Sequence, residues 1–413
     1  MAETLTFPTG FLWGVAGAAH QIEGGNVNSD CWLLEHTPGS PYVEPSGDAC
    51  DHYHRYRDDI GLIASLGFNT YRFSIEWARI EPEEGEFSNA ALEHYRRMLA
   101  TCHEYHLTPV VTYHHFTSPR WFAAKGGWEA LGNAERFARY CERATAHLGD
   151  LIGMACTMNE PNVGLLIQHM GHLPPDEELA KAPYRAAAAK AVGSDTFAAF
   201  PNCRQALARD TFIRAHQLAR AAIQAGPGDF PVGLTLAMSD HQAVPGGEAV
   251  RDRARREIDD VFLDAAREDD FIGVQTYSRT RFGPEGLLGP EEGVPLTQMG
   301  YEFYPEALEA TIRYATAYTG RPALVTENGI GTEDDTQRIE YVRRALRGVH
   351  RALADGVKVH GYCYWSIFDN FEWSLGYRPK FGLIAVDRAT QKRTLKPSAA
   401  WLGAVAQANR LEG

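Results

Sequence analysis

The stretch YHRYRDDIGLIASLGFNTYRFSIEWARIEPEEGEFSNAALEHYRRMLATCHEYHLTPVVTYHH, residues 53–115, decides the fold. Tyr53 to Leu66 has apolar residues at helical spacing, and Gly67 stands where a helix C-terminus needs a left-handed residue. Phe68 to Ile75 is aromatic and β-branched, which predicts a strand. Ala91 to Tyr105 returns to helical spacing, and Thr108 to Tyr113 is again a strand, running into His114 and His115. Strand and helix alternate, with the second helix closing one unit and the next strand opening another.

The same alternation extends in both directions. Phe11 to Ala16 reads as a first strand, and further strands are expected near Met154–Met158, Pro231–Leu236, Phe271–Gln275, Ala323–Thr326 and Val359–Tyr364. Helices fall between them, the clearest at Ala134–Leu148 and Thr336–Asp355. Eight strands in βα alternation predict a parallel sheet closed as an α/β (β/α)8 TIM barrel. An open doubly wound sheet is disfavoured because no GxGxxG follows a strand. The Ala-rich stretch His169 to Phe200 is expected to be an insertion after the fourth strand, and Gly283 to Pro295 a surface loop. Glycine (39) and proline (22) do not pool into a linker, so residues 1–413 are expected to form one domain.

A net charge of −13 argues against nucleic acid, which needs a basic stripe to displace counterions. No apolar run approaches the roughly 20 residues that span a bilayer, and MAETLTFPTGFLWG has no signal-peptide pattern. Seven scattered cysteines suit reduced, mostly buried thiols. A cytoplasmic setting without a membrane partner is expected; oligomeric state is not readable from the sequence.

Barrels of this kind carry their chemistry at the C-terminal ends of the strands. Those positions hold Arg72, His115, Asn159 with Glu160, Tyr277, Glu327 and Trp365. The two glutamates end apolar runs, in TMNEP (157–161) and TENG (326–329), where an ionisable group is costly. One such glutamate is as readily half of a structural ion pair. Two on different strands, each beside an asparagine, suit glycoside cleavage: one carboxyl donates a proton while the other, ionised, attacks the anomeric carbon. Arg72 is a candidate for the cation that keeps one of them ionised. Aromatic residues interleaved with carboxylates and amides in YWSIFDNFEW (364–373) suit a sugar's apolar faces and hydroxyls.

Asp51-His52-Tyr53-His54 and His114-His115 lack the spacing of known metal sites, so no metal is expected. Arg251 to Arg256 is read as a solvated helix face.

The chain resembles glycoside hydrolase family 1, the β-glucosidase-like enzymes. The likeness runs from FLWGVAGAAHQIEG (11–24) through CDHYHRY, YRFSIEWARI, TYHHF, TMNEP, TENG, WSIFDNFEW and KFGL to KPSAAWL (396–402). It implies a retaining exo-β-glycosidase that uses no cofactor, with Glu160 as acid/base and Glu327 as nucleophile. It places Gln21, His115, Asn159, Glu372 and Trp373 on sugar hydroxyls, Trp365 beneath the sugar and Phe381 near its C6 end. Tyr277 would bond the nucleophile, with Arg72 beside it.

Four departures stand out: Gln275 where the family has asparagine, Lys380 for the usual arginine, FTSP after His115, and no glycine-rich stretch after TMNEP. The extra methylene of Gln275 is expected to alter how Tyr277 or the nucleophile is held. A 6-phospho-β-glycosidase would need a phosphate beside Glu372, whose charge repels it. A sugar-binding protein without catalysis is the reading from another functional class, and transglycosylation would use the same two carboxylates.

Overall fold

A computed structural model describes residues 4–412. Eight parallel strands close into a barrel: β1 (Leu12–Gly17), β2 (Thr70–Ser74), β3 (Thr108–His114), β4 (Met154–Asn159), β5 (Val232–Ala237), β6 (Phe271–Gln275), β7 (Ala323–Asn328) and β8 (Val359–Trp365). Each pairs with its sequence neighbours, and β8 pairs with β1 to complete the ring. β2, β4, β5, β6 and β7 are buried along their whole length. Side chains fill the barrel on one face while helices cover the other, so such strands read as continuous apolar runs.

A helix follows every strand: α1 (His52–Ser65), α2 (Asn89–Glu104), α3 (Ala134–Leu148), α4 (Gln205–Gln224), α5 (248–265, with one wide turn at Arg256–Asp260), α6 (Ala307–Thr319), α7 (Asp335–Ala354) and α8 (Pro397–Ala408). Local chemistry sets their ends. Ser88 Oγ accepts from the Ala91 amide at the start of α2, and the Asp334 carboxylate accepts from the Thr336 and Gln337 amides at the start of α7. Beyond α1, Gly67 has φ +101°, and a Cβ there would meet the Gly403 carbonyl at 3.0 Å. The chain ends meet as an antiparallel pair, Thr4–Thr6 with Arg410–Glu412, and Asn409 Oδ1 accepts from Trp13 Nε1 at 2.9 Å.

The expected strands agree with those observed to within two residues at either end, and the expected helices likewise. The Ala-rich insertion 169–200 does follow β4: beyond a short helix, Val163–His169, it forms two more, Asp176–Ala180 and Pro183–Ala191. Its Ala188, Ala189, Phe197 and Ala199 build a small core with Leu34 and Ala123, separate from the main one.

Two local expectations need correcting. Gly283–Pro295 is not loop throughout: Gly286–Leu288 pairs antiparallel with Arg279–Gly283, which itself runs parallel to Asp240–Ala243 after β5. Turn residues masked this three-stranded sheet because its strands are short and its partners distant in sequence. Nor is Arg251–Arg256 a purely solvated face. The Arg255 guanidinium lies 4.4 Å from the Tyr314 ring centre and donates to the His241 carbonyl at 2.9 Å. Among the described residues no helix is long and apolar enough to cross a membrane.

Candidate active site

Glu327 is the penultimate residue of β7, and both its oxygens are engaged. Arg72 on β2 donates from Nη1 to Oε1 at 2.6 Å, and the Tyr277 hydroxyl donates to Oε2 at 2.7 Å. The guanidinium is 1% exposed, so this ion pair is little screened by water. Arg72 Nη2 also donates to Asn159 Oδ1 at 2.5 Å, tying the ends of β2, β4 and β7 together.

Glu160 follows β4 and has different surroundings. Its backbone is left-handed, φ +45°, a conformation that costs a non-glycine residue of order 1–3 kcal/mol. Hydrogen bonds to β5 hold it there. The Glu160 amide donates to the Thr235 carbonyl at 2.9 Å, and Asn162 exchanges two side-chain bonds with the Ala237 backbone at 2.8 and 3.0 Å. Its carboxyl touches no cation; Oε1 accepts from Gln275 Nε2 at 2.7 Å.

These surroundings give the two carboxyls opposite tendencies. Burial, and then the nearby charge of Glu327, push the Glu160 carboxyl up to about 8, against the pull of the Gln275 bond and Arg72. Burial also raises Glu327, but there the Arg72 charge, the Arg72 bond and the Tyr277 bond all favour the ionised form. One carboxyl is thus built to keep a proton near neutrality and the other to surrender it first.

Around them lies a cavity enclosing about 540 Å³. Asn159, Glu160, Tyr277, Glu327, His115, Trp365, Glu372, Trp373 and Phe381 all line it. Arg72 sits behind Glu327, and Gln21, fully buried, donates from Nε2 to the Phe371 carbonyl at 2.7 Å. The His115 ring lies nearly parallel to Trp365 (5.6 Å, 15°) and Trp373 (6.2 Å, 13°), and Phe381 meets Tyr277 edge-on at 5.9 Å. Burial, aided by the charge of Arg72, holds the His115 imidazole well below its usual pKa and so neutral.

Three buried polar atoms of its lining find no hydrogen-bond partner among the described residues, His115 Nδ1, Asn159 Nδ2 and Glu372 Oε1, and behind the lining Gln21 Oε1 and Arg72 Nε are also unpaired. A buried polar atom left unpaired costs about 1–3 kcal/mol. Three in one lining, offering both donors and acceptors, suit a ligand rich in hydroxyl groups.

The sequence reading missed Phe116, Met299 and Tyr301, which also line the cavity. Met299 and Tyr301 lie in the connection between β6 and α6, residues 276–306. Its length was the available signal, since long connections within compact domains are usually functional. The expected effect of Gln275 also needs correcting. Tyr277 retains its bond to Glu327, while Gln275 spans from Thr326 Oγ1, which donates to its Oε1 at 2.9 Å, to Glu160. The longer amide reaches the carboxyl on β4 and leaves the Glu327 contacts alone.

Three of the four histidines set aside as metal ligands have other partners. His52 pairs with Asp59 at 2.8 Å, His54 with Asp51 at 2.7 Å, and His114 with the Ser118 hydroxyl at 3.1 Å.

The model of glycosyl hydrolase family 1 matches residues 3–213 and 266–411. The chain is 33% identical to a 1,4-β-D-glucan glucohydrolase of Thermotoga neapolitana, over 98% of this chain and 99% of that protein. It is equally identical, with the same coverage, to β-glucosidase A of Thermotoga maritima. The crystal structure of a β-glycosidase superposes with a TM-score of 0.94 at 58% identity, covering 97% of each chain. Matches over nearly the whole length, around a barrel whose mouth holds two strand-end glutamates, lead to one conclusion: this chain belongs to glycosyl hydrolase family 1 and is a glycoside hydrolase.

Proposed function

We propose that the protein is a retaining β-glucosidase that removes terminal β-linked glucose, or a closely related sugar, through a covalent glycosyl-enzyme. The observation that carries this reading is the pair of carboxyls with opposite surroundings in one cavity, Glu327 held by Arg72 and Tyr277 and Glu160 without a contacting cation. In the first step Glu327 attacks the anomeric carbon as the glycosidic C–O bond breaks, and Glu160 gives its proton to the departing oxygen. In the second, Glu160 takes a proton from water, whose oxygen displaces Glu327 and regenerates both groups.

Gln21, His115, Asn159 and Glu372 would bond the sugar hydroxyls, since their free atoms face no protein partner. Trp373 would donate from its indole N–H to a sugar hydroxyl, Trp365 would pack beneath the ring, and Phe381 would lie near C6. The names of the relatives support glucose as the sugar. A 6-phosphoglycoside is disfavoured by Glu372, and water is read as the acceptor in preference to a second sugar. No cofactor enters this mechanism. Seven buried cysteines without disulfides support a cytoplasmic setting.

The test is an aryl β-glycoside panel of glucoside, galactoside, fucoside, xyloside and 6-phosphoglucoside, with proton NMR of the first-formed sugar. The glucoside should be turned over with β-glucose appearing first. Initial α-glucose would rule out retention, and silence across the panel would favour a sugar-binding protein.

A further inference from the structure

A second cavity, of about 560 Å³, adjoins the first and shares Glu160, Tyr277 and Tyr301 with it. Glu160 is the group read here as the proton donor to the leaving oxygen, so this cavity lies where the departing half of the substrate would sit. One of its walls is aliphatic. Val163, Leu166, Ile167 and Met170, on and just after the short helix behind Glu160, face Met238 at the end of β5.

Most of its polar groups are already committed, the Tyr301 hydroxyl shared with the first cavity excepted. The Ser239 hydroxyl bonds Thr280 Oγ1 at 2.6 Å, and Ser278 Oγ donates to the Glu302 carbonyl at 2.8 Å. Arg279 donates to Glu302, Glu291 and Gln242. None of these polar groups is among the buried atoms left without a partner, whereas the lining of the first cavity holds three such atoms. Part of this wall also lies outside the family pattern, since Met238 and Ser239 fall between residues 213 and 266, which the family model does not match.

We infer that this cavity selects an apolar, non-saccharide aglycone, an alkyl or aryl group, over a second sugar. The inference rests on the β-glucosidase reading above and names the other half of its substrate. An apolar aglycone would remove half-buried aliphatic surface from water, the favourable term in such a site. A second sugar would surrender the hydration of its hydroxyls to walls with few uncommitted partners, and such losses are not repaid.

The test is kcat/KM for methyl, butyl and hexyl β-glucosides and for cellobiose. The alkanols are leaving groups of nearly equal acidity, so differences along the series report contact with the cavity and not bond-breaking chemistry. We expect at least a tenfold rise from methyl to hexyl, with cellobiose below hexyl β-glucoside. Leu166→Asn should shrink the hexyl-to-methyl ratio at least threefold; Met238→Thr, on the opposite wall, provides a second variant should the first not fold. A flat series, or cellobiose above the hexyl glucoside, would overturn the inference while leaving the β-glucosidase reading intact. Failure to turn over any β-glucoside, an activated aryl glucoside included, would remove that reading and the inference with it.

Discussion

Two cavities of almost equal size meet at Glu160, yet they treat polar groups in opposite ways. The one containing Glu327 leaves His115, Asn159 and Glu372 each with an unpaired buried atom. The other spends its Ser239, Ser278 and Thr280 hydroxyls and its Arg279 guanidinium on internal bonds and presents leucine, isoleucine and methionine on one wall. Unpaired buried polar atoms are uncommon, and several on one cavity wall suit a ligand that would pair them. The first cavity is therefore the more exacting about which hydroxyls it receives, and the second chiefly about how much apolar surface it covers.

The largest effect should come from the carboxyl that only the first cavity holds. Glu327→Ala should lower kcat by on the order of 10⁴-fold or more, and added azide should restore turnover with an inverted product, read by NMR. A retained product would place the nucleophile elsewhere. At the shared wall, Glu160→Gln should cost alkyl glucosides roughly 10²–10⁴-fold, while glycosylation by aryl glucosides with good leaving groups persists. Equal losses on both substrate types would remove Glu160 from the acid role.

On the sugar side, Gln21→Leu should lower kcat/KM for the β-glucoside by about tenfold or more, the loss of a hydrogen bond to a substrate hydroxyl. It should leave the hexyl-to-methyl ratio unchanged. If that ratio moves as much as the sugar preference, the two cavities do not select independently.

The pH profile provides a finer probe. Glu160 must be protonated to act as acid, so kcat/KM should fall as pH rises through about 8. Gln275 donates to its carboxyl and so favours the ionised form; Gln275→Leu should move this basic limb upward and slow alkyl glucosides more than activated aryl ones. An unmoved limb would reduce Gln275 to a packing role.

The smallest effect concerns stability. Burial raises Glu160 above its ordinary 4.5, so between about pH 4.5 and 8 the unfolded chain holds fewer protons than the folded one. The folded protein loses stability across that window and no further above it. Glu160→Gln, which carries no proton to lose, should melt progressively higher than the native protein over the same range.

Much of this was legible in the sequence because it is local. Strand ends follow from where an apolar run stops, so Glu160, Glu327, Arg72 and His115 could be placed at the barrel mouth before any contact was known. The second cavity had no such signal: Val163, Ile167 and Met238 are ordinary apolar residues until two loops bring them together. Tyr301 was hidden for the same reason, and the strand at Gly286–Leu288 by its turn-like composition.

Gln275 shows the limit most sharply. Its departure from the family pattern could be seen, but not whether one more methylene would bring the amide to Tyr277 or to Glu160. The sequence by itself determined the βα alternation, and with it the closed barrel and the two carboxyls, since periodicity and strand-end position are properties of neighbouring residues. Only the tertiary structure decided which carboxyl faces Arg72, which polar atoms go unpaired, and that an apolar chamber adjoins Glu160. Those are distances across the barrel between residues up to about 255 positions apart, and no local pattern encodes them.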